Sequence, residues 1–532
     1  MGNFGRSLLL LLPLLQGAPR GPAEKACKGG CHSPGSALGL PRDHDGAAAE
    51  EHTLGPAVPG RPRPPKRSSL TWLRGEGFAG STDVACLNPA VVSGRFEDST
   101  VDPSRYVLRA AYVMQRHCDR WIYEHDLINN RCWPFQLNSS VQSSPWQAAE
   151  CDFGGKDLST VWESWPVAPD PYAAPDAGTC QVHDGTPQGT RQGQKHAHEL
   201  GEMLRCQYVD SGLIPPTCPQ GSITLHADKV HKNELTLQTE YEAVCGRLPS
   251  LAEFPKEKTL VGYLREPTKG APWYVARKQC GGARLDNLDR EADAAALKSR
   301  WWKSQVQAVA AEVAAVTGHP RPDSAMAAEF LDSIIDCVAV HACTGLDDTP
   351  AAFLNPASKL PDMGAVALYG RMNRNETARR TWGLDYWRAT DPAVFTEYAS
   401  LYYGYFFAVL GDLLRAAAKG DPRAPKLTIS VMSDSNISPL LAFYNLSELA
   451  AQRPPYLSTL VHEVYEDKSV GSPAVRVLFN GGVQRVCPGP KSFPLCPFDE
   501  WAALVARFVP SREACPTLYE AYEFLGGEPQ GG

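Results

Sequence analysis

The 532-residue sequence contains no apolar run long enough to cross a bilayer, which takes about 20 residues. Positive charge is not in excess either, because 52 Lys and Arg stand against 59 Asp and Glu, for a net charge of −7. The sequence has no internal repeat, and its 16 cysteines include no CxxC pair, which favours disulfides over zinc. These absences argue against a transmembrane span, a repeat protein and a nucleic-acid partner, and they leave an ordinary globular chain.

The N-terminus is typical of a secretory signal peptide. Arg6 supplies the positive start, Leu8–Leu15 form the apolar stretch, and the small residues Gly17 and Ala18 follow. We therefore predict a signal peptide over residues 1–22 and a secreted, lysosomal or Golgi-luminal protein. In that compartment three sequons would be glycan acceptors, at Asn138, Asn375 and Asn445.

The next segment, residues 23–83, is rich in Pro, Gly and Arg and is predicted to be disordered. A metal site at Cys27, Cys31 and His32 is not expected, because nothing nearby completes a set of four ligands. One folded domain is predicted over residues 84–524, followed by a flexible tail over residues 525–532.

Apolar, strand-like runs alternate with helical patterns through the folded part. The predicted strands are Tyr106–Met114, Ile223–Leu225, Leu427–Met432 and Val475–Phe479, and the predicted helices are Ala294–Val316, Ala325–Val340 and Pro392–Ala418. Strands separated by helices favour an α/β fold with a mostly parallel central sheet. In such sheets, functional sites lie beyond the carboxyl ends of the strands.

A short run, Arg116-His117-Cys118-Asp119-Arg120, directly follows the first predicted strand. Arginine offers a planar fork of donors that fits phosphate oxygens, and a neutral imidazole between two arginines can attack phosphorus or move a proton. The alternative is a solvated basic turn. A second polar pair, Ser433-Asp434, follows another strand.

Other candidate sites are weaker. His196 and His198 lie two apart on a predicted helix and point in different directions, which argues against a metal site. Ser433, His462 and Asp434 could mimic a hydrolase triad, but no GxSxG elbow surrounds Ser433.

The run at Arg116 resembles the RHGxRxP signature of the histidine acid phosphatases, a branch of the histidine phosphatase superfamily. Further segments resemble family motifs in the right order: Thr190-x-x-Gly193 with Glu199–Arg205, Ser433–Ile437, Pro454-Pro455-Tyr456 with His462–Tyr465, and Val475–Gly481 with Cys487 and Cys496. The spacing of Cys337 and Cys343 and the C-terminal segment resemble the two-phosphoxylose phosphatase branch.

The resemblance implies a role for each matching residue. His117 would be the nucleophile, Arg116 and Arg120 would bind phosphate oxygens, and Asp434 would be the general acid, with no metal or other cofactor. It implies a three-layer sandwich with a mainly helical cap, inserted at about residues 121–180 and 245–390. It also implies the disulfides Cys487–Cys496 and Cys280–Cys515, with Cys337–Cys343 suggested by proximity.

The sequence departs from the family pattern in several places. Cys118 replaces the motif glycine. Its thiolate would be favoured beside two arginines, and the alternatives are a buried, inert thiol or a paired cysteine. Ile122 stands in place of the proline, and Ser433 in place of the histidine of the HD pair. In our register, Lys229 stands at one family arginine and Leu235 at a second, so Lys229 and Ser433 complete the expected phosphate-binding set.

Two hypotheses follow. The first is an acid phosphatase, a phosphoric monoester hydrolase that works through a phosphohistidine at full or reduced activity. The second is an inactive pseudophosphatase that binds phosphorylated ligands or glycans. In both, the partner is a small phosphomonoester or a phosphorylated glycan.

Overall fold

The computed structural model describes residues 101–120, 191–227, 231–247, 282–317, 381–450, 453–487 and 494–524, with a few short stretches and isolated positions such as Asn88, Gly189 and Cys280. The predicted signal peptide, the Pro-rich segment and the first cap insertion lie outside the described residues. Asn138, Asn375, Lys229, Cys337 and Cys343 also lie outside them.

A seven-stranded sheet forms the centre of the described part. Its strands are β1 (Tyr106–Arg116), β2 (Ile223–Ala227), β3 (Leu427–Met432), β4 (Thr459–Asp467), β5 (Pro473–Phe479), β6 (Gly482–Gln484) and β7 (Cys496–Pro497). The order is β2-β3-β1-β4-β5-β6, and β7 pairs with β5.

The α/β class is confirmed, and the sheet is mixed rather than mostly parallel. Strands β2, β3 and β1 pair in parallel, whereas the pairs from β1–β4 to β5–β6 are antiparallel. Residues 468–472 alone connect β4 to β5. Such a short connection imposes antiparallel pairing, because a parallel crossover takes about a dozen residues or more.

Helices cover both faces of the sheet. They are α1 (Arg191–Arg205), α2 (His231–Cys245), α3 (Gly282–Lys298), α4 (Gln307–Thr317), α5 (Pro392–Ala418), α6 (Asp434–Phe443), α7 (Ser447–Ala450), α8 (Phe498–Ala506) and α9 (Pro516–Phe524). Two π-helical segments add Cys206–Asp210 and Trp302–Val306. Among the described helices, none combines the length and the apolar character needed to cross a bilayer.

The side chains of β1 alternate between two cores, as a strand's period of two requires. Tyr112 and Met114 pack in the core that holds α5 and α8. Ala111 and Val113 pack in the core that holds α1 and α2. The described part is therefore a three-layer sandwich with the sheet in the middle.

Two predicted elements are found with the predicted bounds, Leu427–Met432 and Pro392–Ala418. Asp391 caps the second, since its side chain accepts hydrogen bonds from the first-turn amides. The predicted helix Ala294–Val316 is instead interrupted. The Ser299 hydroxyl donates to Ala296 O and accepts from Trp302 N. These side-chain hydrogen bonds compete with the main-chain hydrogen bonds of a continuous helix.

Three disulfides join pairs of cysteines that are both described, and Cys206 is disulfide-bonded as well. Two are the pairs that the resemblance implies, Cys280–Cys515 and Cys487–Cys496. The third, Cys218–Cys245, was not predicted from the sequence, and it joins the end of α2 to the loop before β2.

Candidate functional site

The two polar runs found in the sequence meet at one edge of the sheet. Strands β1 and β3 are parallel neighbours in a register that pairs Arg116 with Met432. The His117 amide donates to Met432 O at 2.9 Å. Because both strands end at this point, His117 and Ser433-Asp434 emerge together, as expected for a switch point in an α/β sheet.

Ser433 caps α6 and positions Asp434. The helix begins with a capping box in which Ser433 and Asn436 exchange hydrogen bonds with main-chain amides. The Ser433 hydroxyl also donates to Asp434 Oδ1 at 2.8 Å, and the Ser435 amide donates to the same oxygen at 3.0 Å. One oxygen of the Asp434 carboxylate therefore already accepts two hydrogen bonds.

Arg116 is a buried guanidinium held from three sides. Its Nη1 donates to Pro454 O at 2.6 Å, its Nη2 lies 3.5 Å from Asp434 Oδ2, and its Cζ lies 4.3 Å from the centre of the Tyr456 ring. Its Nε–H is buried and finds no acceptor in the described part of the chain. A buried donor without an acceptor is costly, so this group is well suited to an anionic ligand.

His117 is a buried imidazole in a defined tautomer. Its Nδ1 lies 2.8 Å from Cys118 O, and because a carbonyl only accepts, Nδ1 carries the proton and Nε2 keeps its lone pair. Burial holds the pKa of His117 well below its ordinary value, and the charges of Lys232, Arg116 and Arg120 lower it further. The imidazole is thus neutral, the state that a nucleophile requires.

Lys232, in the first turn of α2, is a basic site residue that the sequence analysis missed. It is buried, and its charge is the second cause of the low pKa of His117. Our register placed the lysine at Lys229, three residues earlier and outside the described residues. The strand before α2 ends at Ala227, two residues later than predicted. A register that counts from this later strand end places the basic residue nearer Lys232 than Lys229. Leu235 is a core residue beside Gly189.

The side chain of Cys118 packs between α1 and α2. It is fully buried, and its sulfur would lie 2.9 Å from a Cβ added at Gly193 and 3.4 Å from one at Gly189. Its amide donates to Thr236 Oγ1 at 2.9 Å. Burial raises the pKa of the Cys118 thiol, and the charges of Asp119 and Glu240 raise it further, so the thiol is buried and inert and the thiolate is not favoured.

The turn is also tied to α1 through an ion pair. His196 Nδ1 lies 3.0 Å from Asp119 Oδ2. Burial acts to lower the pKa of His196, but the hydrogen bond and charge of Asp119 outweigh it and raise that pKa. Arg120 adds a β-bridge to Gly189. His196 therefore fixes the turn that carries His117.

Arg453 is a second basic residue that the sequence analysis missed. It is buried, and its Nε donates to Asp434 Oδ2 at 2.6 Å. It precedes Pro454-Pro455, in a loop whose Leu457 amide donates to His117 O at 3.3 Å. Its distance in sequence from both polar runs left no local signal of this contact.

Two other sequence expectations concern residues near the site. His462 bonds to the Tyr444 hydroxyl at 2.7 Å inside the core, which accounts for its position without a hydrolase triad. Asn445, one of the three sequons, is exposed just after α6.

Comparisons with known proteins give structural matches alone. No protein-family model and no curated sequence matches the chain. A phytase of Hafnia alvei is 11% identical, with 78% of this chain and 99% of that chain covered and a TM-score of 0.47. A multiple inositol polyphosphate phosphatase of Bifidobacterium longum is 13% identical, with 81% and 98% covered and a TM-score of 0.47.

The phytase from D. castellii is 12% identical, with 82% and 86% covered and a TM-score of 0.42. At such identities and TM-scores, the proposals below depend on this chain's own residues and geometry.

Proposed function

We propose that the chain is a phosphomonoesterase in which His117 is the nucleophile. The observation that carries the proposal is the state of His117: it is neutral, its Nδ1–H is fixed on Cys118 O, and it lies between Arg116 and Arg120. The unmatched Nε–H of Arg116 supports the same ligand, since phosphate offers several acceptor oxygens.

The reaction has two steps. His117 Nε2 attacks phosphorus, a P–N bond forms, and the ester P–O bond breaks with its electron pair on the departing oxygen. Water then attacks the phosphohistidine, which releases phosphate and restores the neutral imidazole. The departing oxygen gains a proton and the attacking water loses one; the sequence resemblance assigns this exchange to Asp434, and solvent water is the alternative carrier.

The basic side chains bind and stabilise the phosphoryl group. Arg116, Arg120 and Lys232 offset the charge that develops on its oxygens, whereas Ser433, which the sequence analysis placed in the phosphate-binding set, already donates its single hydroxyl proton to Asp434. Lys229, the lysine of our sequence register, is kept as an alternative donor outside the described residues.

The first experiment measures phosphate release from p-nitrophenyl phosphate between acidic and neutral pH. We expect His117→Ala to lose at least about 10³-fold in kcat/KM, because no other group in the proposal provides the nucleophile. His198→Ala is the matched control, since His198 is an exposed histidine of α1. Equal rates for the wild type and His117→Ala would overturn the proposal.

A second candidate function is phosphate binding without turnover, as expected of a pseudophosphatase. It is favoured by one observation, that both oxygens of Asp434 accept hydrogen bonds from donors in the described structure. This alternative requires that millimolar phosphate raise the melting temperature of the wild type but not of Arg116→Met, with no phosphate released from any ester.

We further propose a secretory-pathway location, with glycans at Asn138, Asn375 and Asn445 and a small phosphomonoester or phosphorylated glycan as substrate. The disulfides among the described residues support an oxidising compartment. Mass spectrometry of the secreted protein before and after glycosidase treatment tests this.

A further inference from the structure

The carboxylate of Asp434 is surrounded by hydrogen-bond donors. Oδ1 accepts from the Ser433 hydroxyl at 2.8 Å and from the Ser435 amide at 3.0 Å. Oδ2 accepts from Arg453 Nε at 2.6 Å and lies 3.5 Å from Arg116 Nη2. An ionised carboxylate has about four acceptor positions, and these donors occupy or face each of them.

Such an environment opposes protonation of Asp434. A proton on either oxygen would have to displace a donor that is already in place, and on Oδ2 it would also break a buried ion pair with Arg453. Leaving a buried guanidinium without its partner is strongly unfavourable.

The loop that carries Arg453 is held in place, so Arg453 cannot easily move away from Asp434. Pro454 and Pro455 restrict the backbone after it, and Pro454 O accepts from Arg116 Nη1. Leu457, at φ +60°, holds a left-handed conformation that is rare for a bulky residue. The Asn88 side chain donates to Leu457 O at 2.8 Å and holds that conformation in place.

We propose that Arg453 keeps Asp434 ionised, and that the site therefore acts on aryl phosphates in preference to alkyl phosphates. This inference rests on the proposed function. An aryl leaving group departs as a phenolate and takes its proton from water afterwards. An alkyl leaving group departs as a far more basic alkoxide and needs a proton as the P–O bond breaks. Positioned general acids contribute about 10²–10⁴-fold to such steps.

The test compares p-nitrophenyl, phenyl and glycerol phosphates as substrates of the wild type, Asp434→Asn, Arg453→Gln and Arg453→Lys. For the wild type we expect kcat/KM to be at least about 10²-fold higher for p-nitrophenyl than for glycerol phosphate. Asp434→Asn is expected to lose less than about tenfold on either ester, because an ionised Asp434 gives no proton.

The Arg453 variants separate positioning from folding. We expect Arg453→Gln to narrow the aryl-to-alkyl ratio at least about tenfold by raising the rate on glycerol phosphate, and Arg453→Lys to retain the wild-type ratio. Arg423→Gln is the matched control, since Arg423 forms an exposed ion pair with Asp421. If Arg453→Gln does not fold, two measurements still test the inference. They are the aryl-to-alkyl ratio of kcat/KM in the wild type and the loss of kcat/KM in Asp434→Asn on each ester.

The outcomes distinguish this inference from the proposed function. Similar kcat/KM values for aryl and alkyl esters in the wild type, or a far larger loss for Asp434→Asn on glycerol phosphate than on p-nitrophenyl phosphate, would overturn the inference and leave the phosphatase intact. If none of the esters phosphorylates His117, the proposed function fails and this inference fails with it.

Discussion

Cys118 shows how the turn at residues 116–120 accommodates a side chain at its centre. Its sulfur is buried against α1 and α2, and it forms no disulfide. Burial raises the pKa of the thiol, so the thiol stays protonated and its side chain fills space between the two helices. The turn can thus carry a cysteine where the family pattern has glycine.

The first prediction concerns this thiol. Cys118→Ala should keep the rate of p-nitrophenyl phosphate hydrolysis within about threefold, while the small cavity costs about 1–2 kcal/mol of unfolding free energy. Steady-state kinetics and urea unfolding measure the two effects. Rapid inactivation of the native wild type by iodoacetamide, absent in Cys118→Ala, would contradict it.

The second prediction concerns the pair of His196 with Asp119. Because the pKa of His196 is raised in the folded protein, its stabilising contribution is fully present below the unfolded value of about 6.5. It is lost as the pH rises through the higher folded value. His196→Gln should therefore cost about 1 kcal/mol at pH 5.5 and less at pH 9.

Urea unfolding at the two pH values checks this second prediction. His198→Gln is the control, since His198 is about half exposed on the same helix. A His196→Gln penalty that grows from pH 5.5 to pH 9 would show that the raised pKa is wrong.

The residues that sequence reasoning found are those whose positions follow from strand ends. Arg116 is the last residue of β1, His117 follows it, and Asp434 lies two residues beyond the end of β3. Parallel neighbouring strands bring such residues to one edge of the sheet. Lys232 and Arg453 could not be placed in this way. Lys232 depends on where β2 ends and α2 begins, and Arg453 on the path of a loop that no local pattern specifies.

At the element scale, helix α1 supports the turn that carries His117 by close contact. A Cβ added at Gly193 would clash with Asp119 O and would lie 2.9 Å from both Asp119 N and Cys118 Sγ. Glycine is therefore required for α1 to reach the turn. The sequence motif Thr190-x-x-Gly193 gave this position, though not its contact.

The third prediction follows from that contact. Gly193→Ala should destabilise the protein by about 1–3 kcal/mol and lower kcat/KM at least tenfold, because the backbone at Asp119 must shift. Gly411→Ala is the matched control in α5, since its Cβ would meet nothing within 4 Å. It should be neutral or stabilising by up to about 1 kcal/mol, as measured by urea unfolding. Equal effects would contradict the account.

The strands of the sheet differ in how far the sequence predicts them, and β5, in the antiparallel half, contains the predicted run Val475–Phe479. The parallel strands β2, β3 and β1 alternate with helices, and that alternation is visible in the sequence. Strand β4 was not predicted as a strand. It is buried on both faces, so its sequence, which includes Glu463 and His462, lacks the simple alternation of a half-exposed strand. Its polar side chains bond to Tyr208 and Tyr444 inside the two cores.

At the scale of the whole molecule, the disulfides close loops of very different length. Cys280–Cys515 joins residues 235 apart, whereas Cys487–Cys496 joins residues 9 apart. Loop-closure entropy in the unfolded chain grows with that separation.

The fourth prediction compares the two bonds. Replacing Cys280 and Cys515 by serine should cost about 5 kcal/mol of unfolding free energy, and replacing Cys487 and Cys496 about 3 kcal/mol. Denaturant unfolding of the two double variants measures the difference. A larger loss for the short loop would contradict the entropic argument.

The central claim is that His117 carries the phosphoryl group during turnover. It is tested most directly by quenching the enzyme within milliseconds of mixing with ³²P-labelled p-nitrophenyl phosphate and mapping the labelled peptide. The account predicts an acid-labile, base-stable label on His117 that is absent from His117→Ala. Phosphate release by the wild type with no label on His117, or with the label on another residue, would contradict it.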